Sequence, residues 1–205
     1  VCIISIIIGL TTNNSFLGVI ILITGILNSY YGSIGNKINF PIGVINNLAL
    51  SYIAFKNNNY GLVIFNLLFF MPINIKSYFE WDKNSNKNLV KNRGLGIKKG
   101  LITIILSIII GMIVSYLLGL IPGERLTYLD SFTNVISLIA GILLMLRYNE
   151  SWILYLINNV LDLILWIINY SSGGFDSLMV LLMSIMYLLI NIYALFKWRS
   201  TDEKL

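Results

Sequence analysis

Seven stretches of roughly 18 residues or more are almost uninterruptedly apolar, near 16–33, 39–56, 59–79, 99–121, 128–148, 151–170 and 174–197. That length matches the helix needed to cross a bilayer core. Lipid offers the backbone no hydrogen-bonding partner, so such a chain must form helices whose N–H and C=O groups pair within each segment. The reading is reinforced by a composition that is 57% hydrophobic and only 11% charged. A soluble fold would have to expose much of that surface to water. An eighth apolar stretch, residues 1–10, is too short to span. It reads as the end of a partial N-terminal helix, since the chain starts at Val1.

Charge placement gives the expected orientation. Lys76, Lys83, Lys87, Lys91, Arg93, Lys98 and Lys99 crowd one connection. Basic loops stay in the cytoplasm, so this linker is expected inside. Counting spans outward also places Lys37, Arg147, Lys197, Arg199 and Lys204 inside, and with them the C-terminus. Only Lys56 and Arg125 fall outside. The net charge of +5 is thus explained by topology and gives no sign of nucleic-acid binding.

The chain also spells one three-helix unit twice. LITGIL at 22–27 pairs with LIAGIL at 138–143, INN at 45–47 with INN at 157–159, and NIKSYFEW at 74–81 with NIYALFKW at 191–198. The landmarks fall on three consecutive spans in each half and leave 99–121 between them. A displacement of four spans preserves direction through the membrane, which predicts parallel repeats in a SWEET-like 3+1+3 arrangement. The expected units are 16–79, a cytoplasmic linker 80–98, a linker helix 99–121 and 128–198. The polar linker reads as a solvated hinge. Pro72, deep in a span, is expected to kink its helix.

Catalysis is not indicated. There is no histidine, and Cys2 is the only cysteine, which removes His-based acid–base chemistry, Cys–His nucleophiles and ordinary zinc sites. No cofactor is expected. The sharpest polar pattern is a stripe on the sixth span. Trp152, Tyr155, Asn159, Asp162 and Trp166 are spaced by three and four residues and share one helical face. Aromatic faces can stack a planar ring, while amides and a carboxylate can bond hydroxyls or an amide. Asn66, Phe70 and Asn74 share a face of the third span, and Tyr187 and Asn191 a face of the seventh. Asn46 and Asn47 mirror Asn158 and Asn159. These residues are expected to line a ligand cavity, against the alternative that the asparagines bridge helices. Asp162 could be a proton site, a hydroxyl binder or a neutral acid. Asp130 is expected to cap its own helix, and Trp81 and Trp198 to sit in the interfacial belt.

Three stretches resemble the PnuC family of bacterial vitamin transporters: NFPIGVINN at 39–47, YGLVIFNLLFFMPINIKSYFEW at 60–81 and the run from 129 to 166. YLLINIYALFKW at 187–198 fits as well. The resemblance implies the 3+1+3 fold, a place in the bacterial plasma membrane and a possible homotrimer. It implies uptake of nicotinamide riboside by facilitated diffusion, with the substrate trapped by phosphorylation in the cytoplasm. The family's WxxW motif falls on Trp152 and position 155, where this chain has Tyr155. Asn159, Trp166, Asn66, Pro72 with Asn74, Tyr187 and Asn191 match, whereas Asp162 stands where a small hydroxyl residue is usual. Other readings stay open: transport of thiamine, riboflavin or a nucleoside, a SWEET-type sugar carrier, or a seven-helix ligand sensor.

Overall fold

The computed structural model describes residues 15–86 and 89–202, and the apolar stretch 1–10 lies outside them. Its helices are α1 (Phe16–Ser33), α2 (Asn39–Lys56), α3 (Tyr60–Lys83), α4 (Ile97–Leu118), α5 (Thr127–Met145), α6 (Ser151–Ser171) and α7 (Ser177–Asp202). Two short antiparallel strands, β1 (Ser85–Asn86) and β2 (Leu89–Val90), follow α3. Six of the helices are long and apolar enough to cross a membrane. The seventh, α2, is also 18 residues long but carries Asn39, Asn46, Asn47 and Ser51. Its lower hydropathy reflects the polar face that it turns inward, as described below.

Packing closes six helices into a ring. α1 touches α2 and α7, α2 touches α3, α3 touches α5, α5 touches α6, and α6 touches α7. α4 stands outside the ring and packs on α5. Its surface is mostly exposed apolar residues such as Ile102, Ile105, Ile109 and Ile113, which suits contact with lipid. The chain ends of α1, α3, α5 and α7 share one end of the ring, called here the linker end; their starts define the far end.

Matching turns follow α1 and α5. Gly35 and Arg147 both adopt positive φ, 76° and 67°. Around them Gly35 N–H donates to Gly32 O and Asn36 N–H to Tyr31 O, while Arg147 N–H donates to Leu144 O and Tyr148 N–H to Leu143 O. Each pair of bonds is a Schellman closure that satisfies the last carbonyls of its helix. These turns are 112 residues apart, as are the starts of α2 and α6 and the two INN triplets. The LITGIL and LIAGIL strings lie 116 apart, so that sequence match is one helical turn out of register with the turns that end the same helices.

Pro72 does not act alone. Asn66–Phe70 forms a π-helical turn within α3, closed by the Met71 N–H donating to Asn66 O. The wider turn accommodates the missing donor and bulky ring of proline without ending the helix. Gly43 on α2 permits a close crossing, since a Cβ there would lie 2.7 Å from Asn28 Nδ2 and 2.9 Å from Asn74 Nδ2.

The linker is not a free hinge. Val90 N–H donates to Gly35 O (3.0 Å), and Arg93 exchanges bonds with Arg147 O (2.9 Å) and Asn149 N–H (3.0 Å). Arg93 Nε reaches Leu146 O, and its guanidinium lies 4.3 Å from the Tyr148 ring centroid. Glu150 accepts the Leu95 and Gly96 N–H groups at the start of α4. The segment is therefore a strap bound to the turns after both α1 and α5. Sequence polarity alone cannot show this, because backbone donors leave no mark in composition.

Trp81 and Trp198 also depart from expectation. Instead of facing an interface they are 0% and 4% exposed. Trp81 Nε1 donates to Leu144 O of α5, and Trp198 Nε1 to Ser33 O of α1. With Phe40, Trp152 and Ala194 they fill the linker end of the ring. Asp130 is corrected too: it accepts the Leu62 N–H of α3 (3.1 Å) and Asn134 Nδ2 (2.7 Å), so it caps α3 and not its own helix.

Candidate functional site

Inside the ring lies a cavity with two overlapping lobes, of about 130 Å³ and 160 Å³. The first lobe extends toward the linker end as far as Gly32, Asn39 and Trp152. The second extends along α3 and α5 past Asn66, Thr133 and Asn134. Tyr155, Asp162, Asn74 and Tyr187 border both, so they occupy the waist between the lobes.

The α6 stripe faces this space over most of its length, because residues at three- and four-residue intervals lie along one side of a helix. Trp152, Tyr155, Asn159 and Asp162 line it. On α3, Asn66, Phe70 and Asn74 border the second lobe, with the π turn lying between the first and last of them. Tyr187 and Asn191 complete the wall from α7. Trp166 is the exception. One turn beyond Asp162, it is 2% exposed and packed in the apolar core with Ile21, Ile53, Met179 and Met183. The helical face continues, but α1, α2 and α7 close over it there.

Several lining residues escaped the sequence reading. Asn28 and Ser29 come from α1, Asn39 and Phe40 from α2, Ser137 from α5 and Ser77 from α3. Ser77 lies three residues beyond Asn74 and continues the α3 face, a spacing that could have marked it. Asn46 and Asn47, noted only as repeat counterparts, border the second lobe.

Polar supply exceeds internal demand. Asn28 Nδ2 donates to Asn39 O (2.7 Å), and Asn46 Nδ2 to Ile21 O and Thr24 Oγ1 (3.0 Å each). Yet the Nδ2 atoms of Asn39, Asn47, Asn66 and Asn159, Trp152 Nε1 and Asn158 Oδ1 are buried with no protein partner. Buried polar groups are nearly always paired, so such a concentration marks a surface kept for hydrogen bonding with a ligand or water. Beside these groups the Trp152 and Tyr155 rings lie 5.8 Å apart at 49°. Among the described residues no lysine or arginine lines either lobe, and Asp162 is the sole acid. Among the described residues no cluster of His, Cys, Asp or Glu could hold a metal ion.

Comparison with known proteins agrees with this architecture. The family described as nicotinamide mononucleotide transporter matches residues 15–200. The nicotinamide riboside transporter PnuC of Neisseria mucosa is 28% identical over 198 residues, covering 93% of this chain and 74% of that protein. The nicotinamide riboside transporter PnuC of Haemophilus influenzae is 29% identical over 197 residues, covering 94% and 83%. The crystal structure of the vitamin B3 transporter PnuC superposes with a TM-score of 0.88 at 27% identity, over 99% of this chain and 88% of that one. An all-helical, multi-pass membrane protein with six or seven spans and a polar central cavity, this chain belongs to the PnuC family of membrane transporters.

Proposed function

We propose that this chain carries nicotinamide riboside across the membrane by facilitated diffusion, with phosphorylation on the cytoplasmic side trapping the product. The observation that carries the reading is the central cavity: aromatic faces beside unpartnered amides, with no basic side chain. Trp152 and Tyr155 flank the nicotinamide ring, and Asn159, Asn66, Asn74 and Asn191 bond the carboxamide and ribose, with Phe70 and Tyr187 closing the sides. The family's name points to the mononucleotide and its relatives' names to the riboside. Electrostatics favours the riboside, because a phosphate entering a cavity with one carboxylate and no cation would lose hydration without gaining a partner.

The working units in this reading are 16–79 and 128–198, a SWEET-like 3+1+3 pair joined by the linker 80–98 and the helix 99–121. The matched turns at Gly35 and Arg147 support it, as does the placing of α4 outside the ring. The basic linker and the C-terminus lie in the cytoplasm. One unit rocking against the other exposes the site alternately to each side.

The test is uptake of labelled nicotinamide riboside into proteoliposomes without an ion gradient. Saturable equilibration is expected, reduced about tenfold or more by Trp152→Ala or Asn159→Ala. Equilibration of the mononucleotide in preference to the riboside, or none of either by folded protein, would remove this reading.

A further inference from the structure

We infer that Asp162 is a specificity-determining residue, selecting a ligand with a fixed positive charge on its aromatic ring over the same ligand without that charge. The inference deepens the substrate reading above and rests on it for the first choice of probe.

Four other carboxylates in this protein serve visible structural ends. Glu124 accepts the Tyr60 and Gly61 N–H groups, Asp130 that of Leu62, Glu150 those of Leu95 and Gly96, and Asp176 that of Ser15. Each thereby satisfies backbone donors at the start of another helix, where the helix dipole favours negative charge. Asp162 does nothing of this kind. Its hydrogen-bond donor is Asn158 Nδ2, 3.2 Å from Oδ2 and one turn back on the same helix. The bond joins no two helices, and Oδ1 receives none from the described residues. A carboxylate kept for packing would tie α6 to a neighbour, and this one does not.

Its position indicates another role. Asp162 borders both lobes, between the Tyr155 and Tyr187 side chains that also line each. Among the described residues no lysine or arginine lines either lobe to neutralise it, and their ion pair, Lys37 with Asp82, lies at the linker end. Aromatic faces attract cations through their quadrupoles, and an adjacent carboxylate strengthens that attraction where water is scarce. A pyridinium or thiazolium ring fits this chemistry better than a neutral heterocycle of equal size.

The experiment compares binding of nicotinamide riboside, a pyridinium cation, with its neutral 1,4-dihydropyridine form. The intact protein, Asp162→Asn and Asp162→Glu are measured in detergent and in proteoliposomes. Asp162→Asn is expected to weaken the cation about tenfold or more and the neutral form less than about twofold. Asp162→Glu should recover most of the cation preference. Both variants should unfold near the parent temperature, because the residue joins no helices. Equal weakening of both ligands, or an unchanged cation affinity in Asp162→Asn, overturns the inference. If the intact protein binds neither riboside form, the substrate reading fails by itself. The same comparison is then made with cationic 1-methylnicotinamide and neutral nicotinamide. A protein that binds no cation in either pair overturns the inference as well.

Discussion

The two ends of the helix ring are joined by different chemistry. At the linker end, buried indoles make the cross-ring bonds: Trp81 to Leu144 O and Trp198 to Ser33 O, at 3.0 Å and 2.9 Å. At the far end carboxylates do so. Asp176 receives both the Ser15 N–H and its hydroxyl, Glu124 receives two N–H groups of α3, and Asp130 receives a third. An indole N–H stays neutral at every accessible pH and brings a large apolar ring into the gap it closes. A carboxylate at a helix N-terminus gains from the dipole but remains open to protonation. The linker end is thus a dry aromatic closure and the far end a set of ionisable caps. The same pairs of elements, α3 with α5 and α7 with α1, are held at one end by packing and at the other by charge.

The largest expected effect is at the aromatic end. Trp81→Ala or Trp198→Ala removes a buried ring and orphans a carbonyl, which should cost about 3–5 kcal/mol. Trp81→Phe keeps most of the ring and should cost about 1–3 kcal/mol. Thermal unfolding in detergent would read both. A Trp81→Phe variant as damaged as Trp81→Ala would place the stabilisation in the hydrogen bond and not in packing.

A smaller loss is expected at the far end. Asp130→Ala leaves the Leu62 N–H without its acceptor and takes from Asn134 Nδ2 one of its two, for about 1–3 kcal/mol. If this variant destabilised the protein more than Trp81→Ala, the ranking of the two ends would be reversed.

The smallest effect is a pH dependence. Burial raises the Glu124 carboxyl above the ordinary glutamate value of 4.5, against the lowering influence of its hydrogen bond with the Asp130 side chain and of the Tyr60 and Gly61 N–H donors. A folded-state value above the unfolded one means that the native protein holds the proton more tightly. Its contribution is whole below 4.5 and is lost as pH rises through the folded-state value. Unfolding temperature should therefore carry a downward slope in the acidic range above that point, and Glu124→Gln should reduce it. An unchanged slope in the variant would assign the effect elsewhere. The indole bonds of the linker end contribute no such slope.

Much of the site could be read in advance, and the reason is periodicity. Trp152, Tyr155, Asn159 and Asp162 line the cavity because a helix turns every 3.6 residues, and the same rule aligned Asn66 with Phe70 and Asn74. The rule says which residues share a face, not where a neighbouring helix ends the cavity. Trp166 shares the stripe and is buried in the core because α1, α2 and α7 converge there. Asn28, Ser29, Asn39 and Ser137 were missed because they come from three different helices, and which of those helix faces meet is decided by packing. Trp81 and Trp198 were misplaced because a tryptophan beside basic residues at a span end has the same local sequence whether it faces lipid headgroups or a neighbouring helix.

By itself the sequence determined the helices, their approximate limits and the membrane setting. In lipid every backbone group must be satisfied within its own segment, so span formation depends on local apolar length. It also determined the polar face of α6, since side-chain direction along a helix follows from spacing. The tertiary structure alone decided which acids cap which helices, how the linker straps the two turns and which tryptophans close the ring. Those outcomes depend on donors and acceptors meeting across 53 to 165 positions of chain, from Arg93 with Leu146 to Trp198 with Ser33. Backbone carbonyls and N–H groups are common to almost every residue, so which of them a distant side chain reaches is settled only by how the helices pack.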